Sequence, residues 1–555
     1  MKSASTSSGE FDVVIVGSGA TGGVAAMELT SFGLKTLVLE AGPKLDATQV
    51  VGRGGINQLK RVYRHLVSNP QPIQKMHPGY WECSPDLFVS DAENPYSHPA
   101  DKPYHWIRGR HVGGRSLTWG GVTLRLSDYE FKPAQQDGEG VDWPIGHDDL
   151  APYYAKLETY FQVHGSREAL PQLPDGEFLP PSEMTPAELM LKASLAEHAP
   201  DRRMIICRGI GSSRTHRPSR EQPWPMLSSP GTSLRTAMAT GLCELRDNAV
   251  VRHVVCDPHT RLASGVEFVD RLTKQTHCVR AKYVVLCAST IETNRILLLS
   301  LREQQPGGLV DTSGLLGTHL TDHIATATNV LLPRVPQAQR PFELFGSDSV
   351  LIPRFRNLGK SDAPFLRGYG LWGGIQRFAP LPDFLRKGEP GATGFLAGHG
   401  EVIARAENRV TLHPSRVDAC GIPIPHIEFA WSTNEKLMVA DMQQQIRDLI
   451  AMAGGHCLDM ADIYRVPPPF GAHIARMEQL MTCSTPGLYV HELGGARMGT
   501  TEENSVVGPH NQWWSCPNLL VTDGACWPTS GWQNPTLTEM AITARACHYL
   551  ATQLR

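Results

Sequence analysis

Three glycines near the start of the chain restrict what it can fold into more than any other feature. Residues 12–16 form a short β-branched run that leads directly into Gly17-Ser18-Gly19-Ala20-Thr21-Gly22, and a second apolar run, 35–39, ends at Glu40. At this spacing the first glycine permits a tight strand-to-helix turn, the second lets the backbone approach a pyrophosphate, and the third lets the helix pack closely on the strand. The pyrophosphate then rests on helix N–H groups. Glu40, close to the expected spacing of about 20 residues, is placed to accept hydrogen bonds from an adenosine ribose. Strand, glycines, helix, strand and acid in this order predict a dinucleotide cradle contacted by Gly17, Gly19, Gly22 and Glu40. The plain alternative is a glycine-rich turn with no ligand.

At 555 residues the chain is too long for one simple core, so two domains are expected. The net charge of −3 with interspersed signs gives no basic stripe and argues against a nucleic-acid partner. Residues 1–10 are small and polar, without the apolar core of a signal peptide, and no run of eighteen apolar residues occurs. A cytoplasmic protein with no membrane segment is the expectation. Twelve cysteines show no C-x-x-C pair and no regular spacing, which predicts neither a disulfide framework nor a metal site.

The organisation reads as discontinuous. A glycine-rich loop, 109–121, is expected to be irregular, and aromatic and aliphatic residues recur at helical spacing over 148–162. A Pro- and Ser-rich stretch from about 170 to 230 predicts few strong elements. Strands are expected at 249–256 and 263–269 as part of a meander, then a separate sheet strand at 283–288 leading into a helix at 291–300. Alternation at 401–406 and 409–412, with a turn at 418–423, predicts an antiparallel sheet in the middle region, followed by a helix over 433–453. A strand at 519–522 and a helix over 536–554 close the chain.

Six stretches together resemble one family: the cradle, Gly113-Gly114-Arg115-Ser116, Gly314-Leu315-Leu316-Gly317-Thr318-His319-Leu320-Thr321-Asp322-His323, His491-Glu492-Leu493-Gly494-Gly495-Ala496-Arg497-Met498-Gly499, Asn518-Leu519-Leu520-Val521-Thr522-Asp523-Gly524-Ala525, and Asn534-Pro535-Thr536-Leu537-Thr538. In this order they are similar to the glucose-methanol-choline (GMC) flavin oxidoreductases, from end to end of the chain. The resemblance implies an α/β fold in which a Rossmann-like FAD-binding domain is assembled from 1–150, 231–322 and 488–555. It also implies a substrate-binding domain with an antiparallel sheet, from 151–230 and 323–487. It further implies FAD-dependent oxidation of an alcohol, with hydride passing to flavin N5 and the hydroxyl proton to a base.

By the same resemblance the base is His491, with Asn534 holding the hydroxyl oxygen. A histidine suits the task because its ordinary pKa lies near working pH. Each has a plain competitor: any of the 22 histidines can be a packing residue, and Asn534, just before Pro535, can cap the last helix. His319, His323 and His510 are read as structural. Arg110, Gly113, Gly114 and Ser116 match the loop along pyrophosphate and flavin, Val251 the backbone position that meets adenine, and Asp523 with Gly524 the segment passing ribityl and pyrophosphate. Thr118 stands where the pyranose oxidase branch carries the histidine that bonds to flavin, which implies non-covalent FAD. Only Cys207 lies where some relatives carry an iron-sulfur cluster, so oxygen or a soluble acceptor is the expected electron partner. The loop at Trp119 and Gln533-Asn534-Pro535 resemble the carbohydrate-oxidising branch, which implies a sugar or glycoside as the small-molecule partner. A non-sugar alcohol such as a sterol or aryl alcohol, a non-redox hydroxynitrile lyase, and a noncatalytic flavin-binding protein are the alternatives.

Overall fold

The computed structural model describes residues 5–6, 11–51, 55–210, 221–303, 308–337, 346–359, 361–378, 384, 386–465, 471, 475, 478–479 and 481–554. The first apolar run becomes the strand Phe11–Val16, buried along almost its whole length, and the glycine segment opens the helix Ala20–Ser31. Residues 21–30 of that helix are all buried, so it is a core helix rather than a surface one. Phe11–Val16 lies in parallel register between Thr36–Leu39 and Thr276–Leu286; Cys243–Arg246 adds beyond the one and Cys516–Val521 beyond the other. A strand covered on both faces needs an almost unbroken apolar run, as Phe11–Val16 and Thr36–Leu39 have. The register brings Val16, Leu39, Leu286 and Val521 to one edge, so the residues that follow them, Gly17, Glu40, Cys287 and Thr522, emerge together. In open parallel sheets ligands bind at that carboxyl edge.

The expected separate sheet strand at 283–288 is instead the second half of one long strand, Thr276–Leu286. Its first half pairs antiparallel with Ala263–Asp270, itself paired with Ala249–Cys256, and its second half joins the parallel sheet. Burial alternates at Val279 and Ala281, as a half-covered antiparallel strand requires, and becomes continuous over Val284, Val285 and Leu286, as a strand inside the parallel sheet requires.

The second sheet is antiparallel, in the order His456–Leu458, His323–Leu332, Ala392–Glu401, Tyr369–Ile375, Val350–Ile352, Ile205–Ile206. The helix Thr433–Met452 covers it with Met438, Met442, Ile446 and Leu449 and starts at a Ser432/Glu435 capping box. The strand expected at 401–406 is not formed; the strand ends at Glu401. Beyond it Val402 N–H donates to Ser530 Oγ and Ile403 N–H to Glu435, so the chain leaves the ladder for side-chain partners. Arg409–Val417 pairs with Pro423–Glu428 as a separate hairpin around the expected turn.

Two further expectations gain detail without being overturned. The stretch from 170 to 230 holds a regular helix, Pro186–His198, whose Thr185/Glu188 capping box and Pro at its first turn were legible as a helix start; residues 211–220 of that stretch lie outside the described residues, as does most of 1–10. The 109–121 loop carries a short 3-10 turn, Gly114–Leu117. The helices anticipated at 148–162, 291–300, 433–453 and 536–554 are His147–Phe161, Thr290–Glu303, Thr433–Met452 and Thr536–Gln553. No described helix is long and apolar enough to cross a membrane, and no cluster of metal-ligating side chains occurs among the described residues.

Candidate active site

At the carboxyl edge of the parallel sheet, Gly17 has φ +100° and a Cβ added to Gly22 would lie 2.0 Å from Gly17 O. Neither position admits a side chain without moving backbone. The helix Ala20–Ser31 begins with no side-chain cap and no acid in its first turn, and a Cβ at Gly19 would meet nothing within 4 Å. Open space above uncapped N–H groups is what an anionic diphosphate requires. Gly113 and Gly114 arch over this point: Gly113 N–H donates to Ser18 Oγ at 3.0 Å, and Ser116 Oγ donates to Gly113 O at 2.6 Å.

Glu40 is buried, and its carboxylate accepts from Ser18 Oγ (2.6 Å), Ser18 N–H (3.2 Å) and Gly42 N–H (2.9 Å). Burial raises its pKa against those bonds. Arg110 is committed to Glu292 Oε1 (2.5 Å) and Asn94 Oδ1 (2.7 Å), Arg295 bridges Glu292 to the Val251 carbonyl, and Gly42, Asn94 and Arg110 line a cavity of about 440 Å³. Asp523 caps the turn Gly524–Cys526 through Ala525 N–H and accepts from Thr293 Oγ1 at 2.5 Å. Burial lifts it to about 6 and, with Asp523 as neighbour, lifts Glu539 of the last helix to about 8. The structure therefore gathers Gly17, Gly19, Gly22, Glu40, Gly113, Gly114, Ser116, Asp523 and Gly524 around the first parallel strands, with Arg110 and Val251 joined to them through Glu292.

His491 stands apart from that cradle, among residues that sequence reasoning passed over. Its Nδ1 is 2.7 Å from Nδ1 of His323, whose Nε2 is 2.8 Å from the carbonyl oxygen of Gly531. Tyr489 stacks edge-on against His491, receives a hydrogen bond from Trp372 Nε1 at 2.8 Å, and lies 3.1 Å from His399 Nδ1. Asp322 beneath accepts backbone N–H bonds from His323, Gly487 and His491. Burial and the nearby Glu492 raise Asp322 to about 7. Burial, with His323, His399, Arg115 and His77 as neighbours, holds His491 well below the ordinary imidazole range, and burial alone brings His323 to about 4. The imidazoles of this cluster are neutral at working pH.

His323, read from sequence as structural, is thus in direct contact with His491. The available signal was its place at the end of the Gly314–His323 stretch; nothing in the sequence tied Tyr489, His399 or Trp372 to it. Asn534 is partly exposed, its side chain has no hydrogen bond among the described residues, and the last helix takes Pro535 as its cap position without a side-chain cap, so the capping alternative for Asn534 is not realised. Gly531, whose carbonyl holds His323, lies three residues before Asn534.

A dinucleotide cradle on a parallel sheet, joined to an antiparallel domain that carries neutral histidines, defines a flavin-type oxidoreductase. Comparison with known proteins agrees. Residues 12–71 match an FAD binding domain and residues 404–543 match GMC oxidoreductase. Over 98% of the chain it is 26% identical to 2-methyl-1,2-propanediol dehydrogenase of Mycolicibacterium austroafricanum (96% of that protein). It is 25% identical to the fructose dehydrogenase large subunit of Gluconobacter japonicus (98% of each chain), and 26% to paromamine 6'-oxidase of Streptomyces fradiae (98% of this chain, 92% of that protein). The fold matches a solved formate oxidase from Aspergillus oryzae with TM-score 0.63 and 16% identity over 99% of both chains. The C-terminal part of the chain is thus similar to the GMC oxidoreductases and its N-terminal part to FAD binding domains, and these matches, with relatives named as dehydrogenases and an oxidase, support an FAD oxidoreductase acting on CH–OH donors.

Proposed function

We propose that the protein oxidises a sugar or glycoside hydroxyl to a ketone or aldehyde, with His491 as the base and Asn534 holding the reacting oxygen. Bound FAD supplies the two-electron chemistry, accepting hydride from the substrate carbon. The observation that carries the reading is the His491 imidazole, neutral and fixed through Nδ1, which leaves Nε2 as a lone pair for a hydroxyl proton. Its displacement below the ordinary range favours the neutral form that a base must start from. Asn534, with an uncommitted amide, is suited to hold the hydroxyl oxygen so that one carbon–hydrogen bond keeps a single direction.

The cofactor contacts fall to Gly17, Gly19, Gly22, Glu40, Arg110, Gly113, Gly114, Ser116, Val251, Asp523 and Gly524. The division into 1–150, 231–322 and 488–555 for FAD, and 151–230 and 323–487 for substrate, belongs to the same reading. So do non-covalent FAD, inferred from Thr118, transfer of electrons to oxygen or a soluble acceptor, and a cytoplasmic location. Relatives named for fructose and paromamine support a carbohydrate. A second reading, a small non-sugar alcohol, is favoured by the relative named for 2-methyl-1,2-propanediol.

Anaerobic mixing of the holoenzyme with D-glucose, D-fructose, methyl glucosides, amino sugars, 2-methyl-1,2-propanediol, benzyl alcohol and a sterol separates these. A carbohydrate should bleach the flavin fastest. Bleaching by a non-sugar alcohol with every carbohydrate inert overturns the substrate assignment, and a flavin that stays oxidised while a cyanohydrin is cleaved overturns the redox reading.

A further inference from the structure

Neutral imidazole has one N–H and one lone pair, so a hydrogen bond at one ring nitrogen dictates what the other can do. The carbonyl of Gly531 only accepts, and at 2.8 Å it requires the proton of His323 to sit on Nε2. With a neutral ring, His323 Nδ1 is then a lone pair, and the contact at 2.7 Å is satisfied only if His491 Nδ1 carries a hydrogen. The geometry points to His323 as the positioning residue that locks His491 in the Nδ1–H tautomer and so keeps Nε2 free as the reacting atom, a role that rests on the reading of His491 as base.

The chain of constraint extends further back. Gly531 has φ +66°, and a Cβ there would lie 3.1 Å from Gln533 Oε1, Glu130 Cγ and Leu126 Cδ2. Gln533 Nε2 donates to Glu130 Oε2 at 2.9 Å, and Glu130 is pinned by Ser127 Oγ at 2.6 Å and Ser127 N–H at 2.9 Å. Gln533 Oε1 accepts from Trp532 N–H at 3.2 Å, the other end of the peptide that carries the Gly531 carbonyl, so the buried Glu130 orients that peptide through Gln533, the peptide sets His323, and His323 sets His491. The same loop carries Asn534 three residues on, so the base and the amide that holds the substrate oxygen are registered to each other through one short segment. Burial holds His323 near 4, which keeps it in the single-proton form that this logic needs.

The test reads the tautomer directly and needs no substrate. In holoenzyme selectively labelled with 15N-histidine, the His491 ring signals are assigned by their loss in His491→Ala. The wild type should show His491 protonated at Nδ1 and bare at Nε2. His323→Phe keeps the ring shape without an acceptor and should give a mixture of tautomers, whereas His323→Asn, with a carbonyl near the Nδ1 position, should restore the Nδ1–H form. Nε2–H or doubly protonated His491 in the wild type at pH 7.5, or an unchanged tautomer in His323→Phe, overturns the inference.

Flavin reduction by the fastest carbohydrate donor supplies a second readout. His323→Phe should lower the limiting rate on the order of 10²-fold with little change in half-saturating donor concentration, and His323→Asn should recover most of it. Phe faster than Asn is the signature of packing alone and overturns the role. If His491→Ala reduces flavin normally, the base reading itself fails; if His491→Ala is inert while His323→Phe is fast, only the positioning role fails.

Discussion

The two ends of the site differ in burial and in chemistry: Glu40 and Asp523 are buried, whereas His491 and Tyr489 are half-buried beside the buried His323 and His399. Around the cradle, buried acids set the environment: Glu40 is held by Ser18 and Gly42, and Asp523 by Thr293 and Ala525. Around His491, imidazoles and a phenol hold one another, with the buried Asp322 and the Arg115–Glu492 pair alongside. A polar cofactor with a fixed anionic diphosphate calls for fixed donors and hydroxyl-seeking acids. A proton acceptor calls for a neutral ring with one nitrogen committed and one free. The difference shows how one interior can hold acids through fixed donors and still present an uncharged base whose Nδ1 is committed to a neighbouring ring.

Breaking one end should leave the other's signature intact. The largest effect is expected at Gly22→Val, where a Cβ 2.0 Å from Gly17 O forces the helix off its strand. The purified variant should have lost its FAD, read as flavin absorbance per chain. His491→Ala comes next: removal of a positioned base costs on the order of 10²- to 10⁴-fold in the rate of flavin reduction. That variant should stay yellow, since nothing at the cradle has changed, and a colourless one would mean that the two ends are not separable.

The pH dependence of stability separates carboxyls from imidazoles, which bend in opposite directions; Asp322 beside His491, raised to about 7, sides with the acids of the cradle. Glu539 is raised to about 8 and Asp523 to about 6, so their folded forms bind protons that the unfolded chain releases near pH 4. Their contribution is fully present below about 4 and is lost as pH rises to about 8. His323 is lowered to about 4, so its contribution is present above about 6.5 and lost as pH falls to 4. Thermal melts from pH 4 to 8 should therefore gain high-pH stability in Glu539→Gln and gain low-pH stability in His323→Phe. The smallest effect is at a control site remote from both ends. Thr185→Ala removes the cap of the helix Pro186–His198 and should cost about 1 kcal/mol in denaturant unfolding, with flavin content and reduction rate unchanged.

How much of this was legible in sequence differs between the same two ends. The cradle depends on local geometry, a strand, three glycines at fixed offsets and an acid on the next strand, so it could be read from thirty consecutive residues. The histidine end draws on residues 322–323, 399, 489–491 and 531, far apart in the chain and each unremarkable alone. Only His491 lay in a stretch whose resemblance suggested a role, and His323 was set aside. Secondary structure followed the same division. Helices with clear periodicity were located to within a few residues, while the helix Pro186–His198 was hidden by surrounding prolines and the strand expected at 401–406 was lost to Ser530 and Glu435, partners supplied by distant segments.

The sequence by itself determined the dinucleotide cradle and the parallel βαβ start, because glycine spacing and hydrophobic period act over short stretches of chain; FAD and the candidate base His491 came only through the resemblance of longer stretches to a family. The tertiary structure decided which nitrogen of His491 is free, that Asn534 is not a helix cap, and that Gly531, His323 and His491 form one hydrogen-bonded line. Those outcomes depend on where a carbonyl and a second ring arrive from segments more than 150 residues away, and hydrogen bonding is directional enough that a displacement of one ångström would erase them.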